Sequence, residues 1–388
     1  MLQNFGRSTL AELFEDWVVY RNLEPLDRRV PGLKNAGYRM ELTEEGIPRK
    51  LDKEYSKAAL WICEEARAVA GFAKPAEELL LIGDTLVTDG TAFHNLAALS
   101  GWQGACFIGA DRIQQEPLCR FDAESNLDVS NRWSLLPDWL HAVRQRGMKL
   151  NTSTIVVIDI DKTALGPKGR NDQVIDRARL EGIFRTMESV LGSQFSRELF
   201  IQHYKELNRS RYHFLTADNQ DYLAYICLIL NSKLVAFDEF LAEIDNKNLE
   251  SFDQFIRWAD SLMMRKIAPG EDLREVHEAI QASVRNGDPT PFKRFRRQEF
   301  ICTLEHMGNV PDDASIEALL RDEITLCEEV WQVSEWLKQR GCFLICMSDK
   351  PDEASIPTPR EAAERKPIHR VETHRVGEDL RARLKEIR

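Results

Sequence analysis

Thr154-Ile155-Val156-Val157-Ile158-Asp159-Ile160-Asp161-Lys162-Thr163 decides how this chain folds. A β-branched run ends abruptly in two acids one residue apart. A short apolar run bounded by polar residues fits a strand buried on both faces. Such strands belong to parallel α/β sheets, which place their chemistry just beyond the strands' carboxyl ends. Alternation along an extended chain would send the side chains of Asp159 and Asp161 the same way and turn Ile160 aside. Two close acids can bind a hard cation such as Mg²⁺, or divide the work of nucleophile and proton shuttle. A solvated strand-to-loop turn would favour Asp as well, so the pattern has to be weighed with the rest of the chain.

Two further segments have the same form. Leu79-Leu80-Leu81-Ile82 runs into Gly83-Asp84, and Asp89-Gly90 follows, with Lys74-Pro75 standing ahead of the strand. Leu344-Ile345-Cys346-Met347 ends in Ser348-Asp349-Lys350. Apolar spacing predicts helices over 53–70, 91–99 and 136–146, and a further strand over 105–109. Residues 110–135 read as loop, and residues 1–50 carry nothing functional beyond a short amphipathic helix. No GxGxxG accompanies the strands, which removes a Rossmann-type dinucleotide site.

Asp159-Ile160-Asp161-Lys162-Thr163 resembles the first signature motif of the haloacid dehalogenase superfamily, most of whose members are phosphatases. Lys74 with Gly83-Asp84 and Asp89 looks like the third and fourth motifs, and Ser348 at a strand end like the second. The family runs first to fourth along the chain, whereas here the third and fourth precede the first and the second comes last. A circular permutation accounts for that order, with the cut between the family's third strand and the helix carrying the lysine. The rival account, two separate α/β units, leaves the second unit short of a metal-completing acid.

The resemblance implies an α/β fold, with a Rossmann-like parallel sheet in permuted strand order and an inserted all-helical cap domain. Residues 1–170 and 339–388 would form the core, and the long helical block 171–338 the cap. It also implies roles. Asp159 would be the nucleophile and Asp161 the acid and base. Asp159, Asp161 (through its carbonyl), Asp84 and Asp89 would hold Mg²⁺. Ser348 and Lys74 would bind the phosphoryl oxygens, with Lys350 a second candidate for the lysine. Thr163 and Lys350 would contribute to substrate binding. The acid at Asp161 argues against dehalogenation, because family members that cleave carbon–halogen bonds lack it.

Within the helical block, Asn208-Arg209-Ser210-Arg211-Tyr212-His213 and Lys293-Arg294-Phe295-Arg296-Arg297 interleave basic and aromatic residues. A solvated helix face explains such clusters simply. The functional alternative makes Arg209 and Arg211 donors to an anionic substrate. The chain has 388 residues, 43% of them hydrophobic, ample for a core and an insertion. Its net charge of -11 disfavours nucleic acid and anionic membrane surfaces. No run approaches the roughly 18 apolar residues of a membrane span, and the first residues lack a signal-peptide core. The eight cysteines include no CxxC and read as buried free thiols. The expected setting is the cytoplasm, and the expected partner a small phosphorylated metabolite. A mutase-like phosphotransferase, or a non-catalytic binding protein acting through the insert, are the alternatives.

Overall fold

A computed structural model describes residues 1–42, 46–265 and 270–387. Ten strands appear in chain order: β1 (Gln3–Ser8), β2 (Val18–Val19), β3 (Glu78–Gly83), β4 (Gln103–Gly109), β5 (Cys119–Arg120), β6 (Leu127–Ser130), β7 (Thr154–Ile158), β8 (Leu326–Cys327), β9 (Phe343–Met347) and β10 (Thr373–Gly377). Seven of them form one sheet in the order β2-β9-β7-β3-β4-β6-β5. Every pairing in it is parallel except β5 with β6. The run 154–158 is β7, an interior strand buried at every position and flanked by β3 and β9. Its register aligns Ile158 with Ile82 on one side and with Cys346 on the other. The ends of β3, β7 and β9 are therefore level, and the residues that follow them emerge together.

Continuous apolar strands need cover on both faces. One face carries the helices Lys53–Val69 and Thr88–Ser100. Their Ala58, Ala59, Ile62, Phe93 and Leu96 pack against Leu79, Leu81, Ile155, Val157, Phe343 and Ile345. The other face carries Leu136–Gln145 and Glu328–Gln339, with Trp139 and Trp133 against Phe107. A small second sheet, β1-β10-β8, lies in the same unit.

The expected strands and helices of this region are present within a residue or three of their bounds, with two exceptions. Residues 110–135, read as loop, contain β5 and β6. Asp128 sits in the middle of β6, fully buried and paired with Arg146. That buried charge masks the apolar signature of the strand. The first fifty residues, in which Leu10 to Tyr20 read as a short amphipathic helix, hold a helix only over Leu10–Phe14 and supply β2, an edge strand of the main sheet. Two residues are too few for any periodicity to register.

The chain divides into two compact units, Met1–Ala178 with Thr303–Arg388, and Arg179–Cys302. The insertion is thus shorter than the expected 171–338. Residues up to 338 read as one helical block because Ile316–Asp322 and Glu328–Gln339 are indeed helices. Yet β8 between them pairs with β10, and Glu328–Gln339 covers β9, so both belong to the first unit. The second unit is helical throughout its described residues. Its helix Gln220–Asn231 is buried almost all round, with Tyr225 among Phe252, Phe255 and Phe292. All eight cysteines are free, and all but Cys119 are buried. Among the described residues no helix is long and apolar enough to cross a membrane.

The loop after β7 is fixed by one buried arginine. Arg170 donates from Nη1 and Nη2 to the two carboxylate oxygens of Glu329, each at 2.8 Å, and from Nε to Asp111 at 2.7 Å. Removing one partner of a buried pair strands the other charge, at a cost of about 3–5 kcal/mol. Arg170→Met is therefore expected to lower the stability of the protein by that amount in urea denaturation. A loss under about 1 kcal/mol would show that Glu329 is not held as described.

Candidate active site at the carboxyl ends of the central strands

Asp159 is the first residue beyond β7, and its side chain is buried. Its Oδ1 accepts a hydrogen bond from Lys50 Nζ at 2.7 Å, and its Oδ2 one from Thr163 Oγ1 at 3.1 Å. The Lys50 ammonium also donates to Asp89 Oδ1 at 2.8 Å. Asp89 lies in the first turn of the helix Thr88–Ser100. Its other oxygen accepts from the backbone N–H groups of Asp84 (3.1 Å) and Thr85 (3.0 Å). That arrangement requires glycine at 83, because a Cβ there would lie 2.6 Å from the Asp89 carboxyl carbon. Beneath the charges is an apolar floor of Leu81, Ala92, Leu96, Val157 and Met347, with Tyr55 at its edge. Few water dipoles reach such a place, so charges there act strongly on one another.

Asp84, Asp89 and Asp159 come together with one carboxylate oxygen from each within 4.8 Å of the others. Burial, then Asp89 and Asp84, push the Asp159 carboxyl well above its ordinary range, against the pull of Lys50. Burial and then Asp89 likewise raise Asp84, opposed by Lys168. Burial works against the Lys50 ammonium, but Asp159 and Asp89 outweigh it and hold it charged. Three carboxylates share too little positive charge. An all-oxygen donor set of this kind suits a hard divalent cation, and the triad could hold a metal ion.

Asp161 stands apart from that triad. The strand ends at Ile158 and the chain turns, with Lys162 in the left-handed region at φ 65°. Asp161 is not among the three acids whose carboxylate oxygens cluster. Its carboxylate faces Lys350 Nζ at 3.5 Å instead. Ser348 and Lys350 follow β9. The Ser348 backbone N–H donates to Val19 O at 2.9 Å, and its hydroxyl oxygen accepts from the Lys350 N–H at 3.2 Å. Thr163, expected to touch substrate, is fully buried and orients Asp159.

Lys74 does not reach this site. It is exposed between the helix Lys53–Val69 and the start of β3, at the opposite edge of the sheet from Asp84. Arg67 Nη2 contacts both Lys74 O and Thr152 O, the latter just before β7, which marks the same amino-terminal edge. The lysine that pairs with Asp89 and Asp159 is Lys50, buried just ahead of the helix that leads to β3. Arg209 and Arg211 belong to the second unit, where both are exposed and pair with Glu206. Arg21, also missed, follows β2. Its backbone N–H donates to Lys350 O at 3.2 Å and its Nη1 to Asp349 Oδ1 at 2.6 Å, pinning the Ser348–Lys350 turn.

Comparison with known proteins adds nothing to this geometry: no family model, curated protein or solved structure matches the chain.

The raised carboxyls have a thermodynamic consequence. A carboxyl whose value is higher folded than unfolded takes up a proton in the folded state first. Folding then gains stability as pH falls from the raised value, and the gain is complete near the unfolded value of 3.8. Asp159→Asn removes this response, together with part of the crowding on Asp84. Thermal unfolding from pH 8 to pH 5 without divalent ions should show the wild type gaining more stability than the variant. Equal slopes would mean that Asp159 is ionised throughout.

Proposed function

We propose that this protein is a Mg²⁺-dependent phosphatase that hydrolyses a small phosphate monoester through an aspartyl-phosphate at Asp159. Its core would be a circularly permuted relative of the haloacid dehalogenase superfamily, and its helical unit the cap. The observation that carries this reading is convergence. Lys50, Asp84 with Asp89, Asp159 with Asp161, and Ser348 with Lys350 come from four separate stretches. All lie at one edge of one parallel sheet, on adjacent strands or beside them. The edge strand β2 lies ahead of Lys50. In the permuted reading the cut therefore falls before that strand and not after it.

The chemistry follows from the residues. A carboxylate oxygen of Asp159 attacks phosphorus, the ester P–O bond breaks, and Asp161 gives its proton to the departing oxygen. Asp161 suits that task, because it is more exposed than Asp159 and lies outside the crowded triad. Water then attacks phosphorus and gives its proton to Asp161, and the bond to Asp159 breaks to release inorganic phosphate. Ser348 and Lys350 supply donors for the phosphoryl oxygens, and Lys50 and Thr163 hold the nucleophile in place. Asp84, Asp89 and Asp159 would hold Mg²⁺, which would supply countercharge to the phosphoryl group.

The test is phosphate release from p-nitrophenyl phosphate and a panel of phosphorylated metabolites, with Mg²⁺ and with EDTA. Metal-dependent turnover should fall by several orders of magnitude in Asp159→Asn. It should fall by about 10²–10³ in Lys50→Met and be unchanged in Lys74→Ala. No release above the Asp159→Asn background on any ester would overturn the proposal.

A further inference from the structure

A third lysine at this site, beside Lys50 and Lys350, is left unused by that mechanism. Lys168 Nζ sits 2.9 Å from Asp84 Oδ2, 2.9 Å from the Asp84 carbonyl oxygen and 3.4 Å from Thr85 Oγ1. Its stem is not loosely placed. The Lys168 N–H donates to Lys162 O at 2.8 Å, and its carbonyl accepts from Asp111 N at 2.9 Å and from Trp133 Nε1 at 3.2 Å. The next residue, Gly169, has φ +78°, and a Cβ there would lie 2.0 Å from Asp111 O. Arg170 then locks the loop through Asp111 and Glu329. Three successive residues are thus spent on delivering one ammonium to Asp84.

The charges say what that delivery does. Asp84, Asp89 and Asp159 carry three negative charges if ionised. Lys50 spans two of them and Lys168 contacts the third. With both lysines in place the group is net negative by one, and a divalent cation makes it net positive by one. Without Lys168 the same cation would bring it only to neutrality. We infer that Lys168 is a charge-setting residue that weakens the site's hold on a divalent cation and strengthens the cation-loaded site's hold on a phosphoryl dianion. This rests on the metal-dependent phosphatase reading above.

The two effects have opposite signs, which separates them from simple structural damage. A unit charge in contact with a partly exposed site changes affinity by about tenfold. Titration calorimetry would measure Mn²⁺ binding, and then inorganic phosphate binding at saturating Mn²⁺, for wild type, Lys168→Met and Lys168→Arg. In Lys168→Met, Mn²⁺ should bind about tenfold more tightly and phosphate about tenfold more weakly. Lys168→Arg, which keeps the charge, should stay within about twofold of wild type for both. Weakening of both ligands in Lys168→Met would assign Lys168 a structural role and overturn the inference. Wild-type values for both ligands in that variant would also overturn it, while leaving the phosphatase reading intact. Absence of Mn²⁺ binding to wild type and variant alike would overturn the metal reading and this inference together.

Discussion

A single buried ammonium ties the site together. Lys50 reaches it from an irregular segment, Asp89 from the first turn of a helix and Asp159 from the end of β7. Burying any one of these charges alone would be costly. Together they are tolerated because each meets an opposite charge at hydrogen-bond distance. The arrangement is a modest source of net stability but a strict condition on geometry, because losing one partner strands the others. The condition spreads outward. Asp89 can hold the Asp84 and Thr85 N–H groups only because Gly83 has no side chain. The placement of Asp84, and so the composition of the acid cluster, depends on that glycine.

A second set of constraints acts from the far side of Asp159. Lys162, Gly166 and Gly169 all have positive φ, so the chain after β7 folds back on itself instead of passing straight into a helix. The turn brings Thr163 onto the second carboxylate oxygen of Asp159 and Lys168 onto Asp84. Arg170 closes it by engaging Glu329 on the helix that covers β9 and Asp111 just beyond β4. Both cations nearest the triad are therefore delivered by irregular backbone, and the carboxylates by strand ends and a helix start. Strands fix where the negative charge is, and loops decide how much of it is neutralised.

This division explains what could be read from the sequence. β3, β4, β7 and β9 are runs of apolar residues whose burial on both faces leaves a signature, and β3, β7 and β9 run into the residues expected to be chemical. The acids that the structure brings together, Asp84, Asp89 and Asp159, follow two of these runs and could be singled out for that reason. β2 and β6 were not legible. The first has two residues, and the second carries an aspartate whose partner, Arg146, is 18 positions away. Thr163 was expected to touch a ligand and instead bonds to Asp159, since a hydroxyl beside a carboxylate and one facing a ligand look alike in sequence. The helices of 316–339 were read as helices but given to the wrong unit, because amphipathic spacing does not record which surface a helix covers.

Lys50 was hidden behind Lys74 for a reason that topology resolves. In a parallel sheet each covering helix runs opposite to the strands. Residues between a strand and its following helix therefore lie at the carboxyl edge, and residues between a helix and its following strand at the amino edge. Lys74 falls between the helix Lys53–Val69 and β3, so the spacing that draws it toward Asp84 in sequence puts a full strand length between them. Lys50 stands before that helix, and the helix's reversed direction returns it to the edge where β3 ends. Lys50 pairs with Asp89 across 39 positions of sequence, while Lys74, only ten positions before Asp84, lies at the other edge of the sheet. The same argument places Arg21 and Lys350 together, although they lie near opposite ends of the chain: each follows a strand, and the two strands are paired in register.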